Sequence, residues 1–277
     1  MLEVRDLSIE FHDREAREKV VRHVSFSMEP GEILGIVGES GSGKTMTALT
    51  VAGLLKSHAD IRNGEIWMDG RDLLKIGEKE WRQIKGKEIS MIFQEPMTAL
   101  NPTMKIGKQV EEALKIHTDM TKKERREKVY QALLDVELSD PQAVYHKYPH
   151  ELSGGMRQRV MIASAVILRP KLLIADEPTT ALDVYTQEQI LSLLRKLNRK
   201  YNMAILFISH NLRVVKELCS QVLVMKEGKV IETGSAKEVF RNPKEPYTKE
   251  LVEAIPTRTK NNRYQELIMG KARAYDE

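Results

Sequence analysis

"GEILGIVGESGSGKTMTALTVAGLL", Gly31 to Leu55, decides the fold. It opens with a short continuous apolar run, Ile33 to Val37, which reads as a strand buried on both faces, as in a parallel sheet. A glycine-rich segment follows, and then helical spacing from about Lys44 to Leu55. Between strand and helix, Gly38, Glu39, Ser40, Gly41, Ser42, Gly43, Lys44 and Thr45 fit the pattern G-x-x-x-x-G-K-[ST], in the setting that this phosphate-loop motif requires. Without side chains at the glycines, successive N–H groups can turn inward around phosphate oxygens, and the helix N-terminus adds partial positive charge. Lys44 is then placed to reach the β and γ phosphates and Thr45 to ligate magnesium. The competing reading is a glycine-rich turn that happens to precede a lysine.

Outward from this stretch, the chain alternates strands and helices. "MLEVRDLSIEF" alternates apolar and polar residues, and after the charged "HDREAREK" a second extended run, "VVRHVSFSM", follows; the pair predicts an antiparallel edge. "GEIWMDG" and "ISMIFQ" read as further strands, Ile106 to about Val136 as a helical insert broken near "TDMT". "KLLIADEP" and "AILFISH" are two more buried strands, separated by a helix over roughly Val184 to Tyr201. Strand–helix alternation argues for an α/β parallel sheet. "QVLVMKEGKVIETG" predicts a hairpin turning at Glu227 and Gly228, and "SAKE" a capping box opening a short helix. The polar tail after Pro256 is expected to be loosely ordered.

Composition narrows the function. The chain has 277 residues, 41% of them hydrophobic, enough to fill a sizeable core, and a net charge of +4. Basic residues alternate with acidic ones, as in "KKERREK" at 122 to 128, so they read as solvated helix faces and make no case for a nucleic-acid partner. A single cysteine, Cys219, excludes an internal disulfide framework or a cysteine-built metal site within one chain and fits a reducing compartment. The N-terminus lacks the apolar core of a signal peptide, and the longest apolar run, "VMIASAVIL", is far short of a membrane span. A membrane role would therefore come through a partner.

Three further clusters carry chemistry. "LLIADE" ends its strand in Asp176 and Glu177, at the edge where α/β sheets place ligands. Asp176 is the candidate magnesium ligand and Glu177 the candidate general base that polarises the attacking water; alone, the pair would also fit a solvated loop start. His210 closes "FISH" and should point to the same edge, where it can hydrogen-bond a γ-phosphate; the alternative is an inert cap of the following helix. Ser153, Gly154 and Gly155 open an amphipathic helix and form a second anion site. Since one phosphate loop already serves a nucleotide, this second site is expected to close over a nucleotide held by another copy of the fold, in a head-to-tail dimer.

The phosphate loop, Gln94 at a strand end, "LSGGM" from Leu152, "LLIADEP" from Leu172, "ALD" at 181 to 183 and His210, in that order, resemble the nucleotide-binding subunit of an ABC transporter. The resemblance covers residues 1–256. It implies an α/β P-loop (RecA-like) ABC ATPase core with an antiparallel β edge and a helical subdomain at about 96–168, followed by a polar tail at 257–277. It also implies that Gln94 senses magnesium and links the core to the helical insert, that Asp183 crosses a dimer interface, and that Phe11 stacks on adenine. Two departures stand out: Met156 where many members have glutamine, and Thr180 where serine is usual.

"FQEPMTALNPTMKIGKQ" and "NPKEPYTKELVEAIP" resemble the oligopeptide, dipeptide and nickel uptake branch. Its ATPases normally act as two related but different subunits on two transmembrane permease subunits fed by an extracellular solute-binding protein, so the implied partner cassette is a homologous subunit or, alternatively, a second copy of this chain. The implied function is ATP hydrolysis, with ATP and magnesium, at the cytoplasmic face of the membrane to energise peptide import. A nickel or metal-chelate importer is the alternative; a soluble ABC ATPase of DNA repair or translation lacks its usual insertions or second cassette. Many members of the branch carry a C-terminal cysteine cluster with an iron–sulfur centre, which one cysteine does not support.

Overall fold

The alternating faces of a six-stranded sheet organise the molecule. In the computed structural model, residues 1–12, 17–55, 59–93, 99–180 and 182–255 are described. The strands are β1 (Leu2–His12), β2 (Arg17–Met28), β3 (Ile33–Val37), β4 (Ala59–Met68), β5 (Arg71–Asp72), β6 (Ile89–Ile92), β7 (Leu172–Asp176), β8 (Ala204–Ile208), β9 (Gln221–Lys226) and β10 (Lys229–Ser235). The large sheet has the order β10-β9-β3-β8-β7-β6, parallel except for the β9–β10 hairpin, and the smaller sheet, β2-β1-β4-β5, is antiparallel. Both the parallel core and the antiparallel edge expected from the sequence are present.

β3, β7 and β8 are buried along their whole length, because both faces of the large sheet are covered. Leu34, Ile36, Leu172, Ile174, Leu206 and Ile208 point into one core, shared with the antiparallel sheet and helix α1 (Lys44–Val51). Their neighbours Ile33, Val37, Leu173, Ala175, Ile205 and Phe207 point into the other, shared with the helices that follow β6. The period of two along each strand thus builds two cores from one sheet. Gly35 stands on the second face, where a Cβ would come within 2.5 Å of Val215; its absence lets helix α9 (Leu212–Leu218) settle on β3.

After β5 come α2 (Glu78–Ile84) and, beyond β6, a run of helices: α3 (Ile106–Val110), α4 (Glu112–His117), α5 (Lys122–Asp135), α6 (Pro141–His146) and α7 (Gly154–Val166). The break expected near "TDMT" is real: Thr118 ends α4 and Thr121 caps α5, its Oγ1 accepting from Glu124 N–H at 3.3 Å. A second break falls at Glu111, which is fully buried between α3 and α4. Burial alone would raise its pKa, but Arg125 Nε at 2.8 Å, with Lys115 and Lys108 nearby, holds it below the usual carboxylate range. An ion pair of this kind ties the insert together around one charge.

The C-terminal part runs through α8 (Val184–Tyr201), α9, the β9–β10 hairpin, α10 (Ala236–Arg241) and α11 (Pro246–Glu253). α8 has the limits read from the sequence. The hairpin turns at Glu227 (φ 49°) and Gly228 (φ 79°), both left-handed, as a tight two-residue turn demands. α1, in contrast, ends at Val51, four residues before the expected Leu55. Gly53, at φ 66°, supplies the left-handed residue that commonly closes a helix. The expectation for the tail at 257–277 falls outside the described residues, and among those described no helix is long and apolar enough to cross a membrane.

Candidate active site

β3, β8 and β7 are parallel neighbours, so their C-terminal ends emerge together on one edge of the sheet. The phosphate loop leaves β3, Glu177 follows β7, and His210 follows β8. Three segments far apart in sequence meet there because of strand order alone.

The loop's glycines are needed where the backbone is crowded. Gly38 has φ 146°, and a Cβ on it would stand 2.1 Å from the carbonyl oxygen of Met225 on β9. Gly43, at φ 96°, is the N-cap of α1, and a Cβ there would stand 2.6 Å from the carbonyl of Val20. Lys44 is 6% exposed and folds back over its own loop, Nζ donating to Gly38 O at 2.9 Å, Glu39 O at 2.6 Å and Ser42 Oγ at 3.3 Å. Burial lowers its pKa, opposed by the carboxylates of Glu177, Asp176 and Glu39.

Asp176 is 3% exposed, and Thr45 Oγ1 donates to its Oδ1 at 3.3 Å. Burial raises its pKa; the Thr45 bond and Lys44 pull the other way, while Glu177 adds to the rise. Glu177 is held more tightly. His210 Nδ1 lies 2.8 Å from both of its carboxylate oxygens, and Thr180 Oγ1 donates to Oε2 at 2.7 Å. An ionised carboxylate can only accept, so Nδ1 carries the proton in this arrangement. The backbone of Glu177 is left-handed, φ 47°, with its N–H donating to Ile208 O at 2.9 Å. Such a conformation costs a non-glycine residue roughly 1–3 kcal/mol and persists where the surroundings over-determine it.

These groups open on a cleft of about 460 Å³ lined by residues 40–46 of the loop, Phe11 and Val20 at the ends of β1 and β2, and Glu177, Thr180 and His210. The structure therefore brings Phe11, Ser40, Gly41, Ser42, Gly43, Lys44, Thr45, Glu177 and His210 to one place, with Gly38, Glu39 and Asp176 behind it. Ser153, Gly154 and Gly155 do not line the cleft; they open α7, where Ser153 and Gly154 are exposed and Ser153 Oγ accepts from Met156 N–H at 3.3 Å. Asp183 caps α8, accepting from Thr186 N–H at 2.9 Å. Gln94 lies outside the described residues.

The fit to a nucleotide and a hard cation can be tested on these contacts. The inward loop admits no Cβ at Gly38, its lysine is buried beside it, and a threonine hydroxyl and a carboxylate, both oxygen donors, stand 3.3 Å apart. Among the described residues no group of three or more His, Cys, Asp or Glu side chains could hold a metal ion by itself. A magnesium ion here would share its ligands with phosphate and water, its common habit.

Two features of the site were not read from the sequence. Thr180 was noted only as a departure from serine, yet its hydroxyl fixes Glu177. Tyr247, on α11, accepts from the Glu39 N–H at 3.0 Å across 208 residues of chain. Its segment, "EPYTKE", carried a resemblance but no placement.

A family profile described as ABC transporter matches residues 21–180. The chain belongs to the ABC transporter family. A second profile, the C-terminal region of oligopeptide/dipeptide transporters, matches residues 231–277. The chain is 47% identical over 256 residues to the dipeptide transport ATP-binding protein DppD of Escherichia coli, covering 92% of this chain and 78% of that one. It is 46% identical over 258 residues to the oligopeptide transport ATP-binding protein OppD of Bacillus subtilis, covering 93% and 72%. To the peptidoglycan transport ATP-binding protein YejF of Agrobacterium fabrum it is 49% identical over 257 residues, 92% of this chain, and spans 47%, about half, of that relative's length. Among solved structures, a dimeric ATP-binding cassette bound to ADP and Pi in a post-hydrolysis state superposes with a TM-score of 0.76 at 28% identity, covering 85% of this chain and 99% of that one. This ABC cassette thus has the P-loop ATPase fold, a mixed sheet with an antiparallel edge and a helical insert.

Proposed function

We propose that this chain hydrolyses ATP in the loop cleft, paired with a second cassette, to energise import of small peptides by transmembrane permease subunits. The observation that carries the hydrolytic reading is Glu177, fixed by His210 at 2.8 Å and Thr180 at 2.7 Å at the mouth of the phosphate-loop cleft. A carboxylate so oriented takes a proton from the attacking water, a contribution of roughly 10²–10⁴ in rate.

Gly38 to Thr45 cradle the phosphates, with Ser40 to Thr45 lining the cleft and Lys44 turning from the Gly38 and Glu39 carbonyls toward phosphate oxygens. Thr45 and Asp176, with Gln94, would hold magnesium, and the bound cation would supply positive charge to the phosphate oxygens. His210 contacts the γ-phosphate and orients Glu177. Phe11, on the cleft wall, stacks on the adenine. Ser153, Gly154 and Gly155, exposed at the start of α7, close over the phosphate held by the partner cassette, and Asp183 crosses between the two. ATP drives the cycle because it favours the closed pair over the open one. The helical insert, about 96–168 within the ATP-binding domain at 1–256, passes closure to the permease at the cytoplasmic face of the membrane.

Peptides are favoured over nickel chelates by the match of residues 231–277 to the oligopeptide/dipeptide transporter C-terminal region. The test is Glu177→Gln in cells whose own copy carries the change, with uptake of a labelled dipeptide and of labelled nickel measured side by side. Loss of dipeptide uptake alone supports the proposal. Loss of nickel uptake alone, or of neither, refutes the peptide assignment.

A further inference from the structure

The phosphate loop is gripped from outside by the last quarter of the described chain. Met225 O on β9 lies against Gly38, Gly228 N–H in the hairpin turn donates to Ser42 O at 3.2 Å, and the Tyr247 hydroxyl on α11 accepts from Glu39 N–H at 3.0 Å. Tyr247 is itself held in place. It is 7% exposed, Lys226 Nζ sits 4.6 Å above its ring, and the start of α11 is anchored on β10, where the Glu232 carboxylate accepts from Lys244 N–H at 2.9 Å and Glu245 N–H at 3.1 Å. Burial pushes the phenol pKa up, so the hydroxyl stays neutral. Further along, Leu251 on α11 and Ala254 and Ile255 just past its end line a cleft of about 190 Å³ with His210 to Arg213. The C-terminal segment therefore bonds to the phosphate loop through Tyr247 and borders one cleft with the segment that carries His210.

We infer that Tyr247 is a positioning residue for the nucleotide reaction: by holding the Glu39 N–H it sets the phosphate loop and couples the C-terminal region to the loop's affinity for ATP. The inference rests on the reading of the loop as the ATP site. Glu39 is held at both of its backbone groups, its N–H by Tyr247 and its carbonyl by Lys44 at 2.6 Å. Without the phenol, Glu39 keeps only the partners of its carbonyl: Lys44, the group that must also reach the phosphates, and the Ser42 N–H of the same loop at 3.2 Å. The loop would then have to be ordered at the moment of binding, and the nucleotide would bind more weakly for it. The chemistry at Glu177 is not touched by this bond, so binding and turnover should separate. By the same link, a displacement of α11 by whatever engages the C-terminal region weakens ATP binding without any contact to the nucleotide.

The test is Tyr247→Phe in the full chain, which keeps the ring under Lys226 and deletes only the hydroxyl. Expected are a Kd for a fluorescent ATP analogue and a KM for ATP raised about threefold to tenfold, kcat essentially unchanged, and faster amide exchange in the peptide covering 38–43. Glu232→Gln, which leaves one good acceptor for two N–H groups, should move Kd the same way by less. Unchanged Kd and exchange in Tyr247→Phe would overturn the inference, as would a fall in kcat at constant KM. Lys44→Ala separates this failure from that of the underlying reading: if it binds the analogue as the wild type does, the loop is not the ATP site and both fall. If Lys44→Ala loses binding while Tyr247→Phe matches the wild type, this inference alone falls.

Discussion

The cassette carries two helix starts that we propose as anion sites, and they are built in opposite ways. At α1 the loop is walled in: Gly38 and Gly43 meet neighbouring backbone, Lys44 is buried, Thr45 is hydrogen-bonded to Asp176, and Glu177 to Thr180 and His210. At α7 the helix start is open: Ser153 bonds only back to its own helix in the contacts seen, and a Cβ at Gly154 would meet nothing within 4 Å. The first half of the site is finished within the chain, and the second is presented outward. A division of this kind lets assembly, rather than substrate alone, complete the reaction centre.

The comparison breaks first at Glu177. If the α1 half is where water is activated, Glu177→Gln should lower ATP turnover by about 10²–10⁴ while ATP binding persists, and the variant should accumulate as an ATP-dependent dimer by size exclusion. Wild-type turnover in a well-folded variant would remove the general base from this site.

Next comes the open half. Gly154→Asp adds a carboxylate at a position with room for it, where an acidic residue in the first helical turn favours the helix itself. Yet a partner's phosphate approaching the same N–H groups would now meet like charge, a penalty of several kcal/mol. In the Glu177→Gln background the ATP-dependent dimer should weaken at least about 100-fold, with single-chain ATP affinity kept. A dimer of undiminished strength would mean that α7 is not the closing surface.

What could be read in advance follows the same division. The α1 half announces itself, since a continuous apolar strand, a spaced glycine run and a lysine–threonine pair constrain one another within a few residues. The strands that lead to Asp176 and His210 follow from apolar runs, and the parallel order places them together. What stayed hidden depends on long-range or backbone facts. Nothing in a glutamate advertises the left-handed φ of Glu177, which sits just past the last β7–β8 pair with its N–H on Ile208 O. The partner of Tyr247 lies 208 residues away, at a distance that only the hairpin and α11 make short. The early end of α1 was legible in Gly53 and was passed over for the apolar residues beyond it.

A smaller effect sharpens the role of the hidden threonine. Thr180→Val keeps the shape and removes the donor to Glu177 Oε2, leaving His210 alone to orient the carboxylate. A hydrogen bond to a charged group is worth roughly 1.5–3 kcal/mol, so turnover should fall by about tenfold to 100-fold; Thr180→Ser, which keeps a hydroxyl in reach, should stay near wild type. Equal turnover in both variants would make His210 sufficient.

The smallest expected effect concerns what the finished half costs the fold. Burial raises the pKa of Asp176, and Glu177 adds to it. A carboxyl whose folded pKa exceeds its unfolded one adds stability below the unfolded pKa, and this is lost as pH rises through the folded value. At neutral pH, with no cation in place, the ionised Asp176 therefore counts against folding, whereas the open α7 half buries no such charge. Asp176→Asn should then raise the thermal midpoint of the nucleotide-free protein at pH 7, with the gain shrinking on acidification toward the raised carboxyl pKa, while ATP turnover is lost. A midpoint that falls at pH 7 would show that the Thr45 hydrogen bond and Lys44 already outweigh burial. The inner site would then be a stabilising element of the fold, and the strain carried for function would reside in the backbone of Glu177.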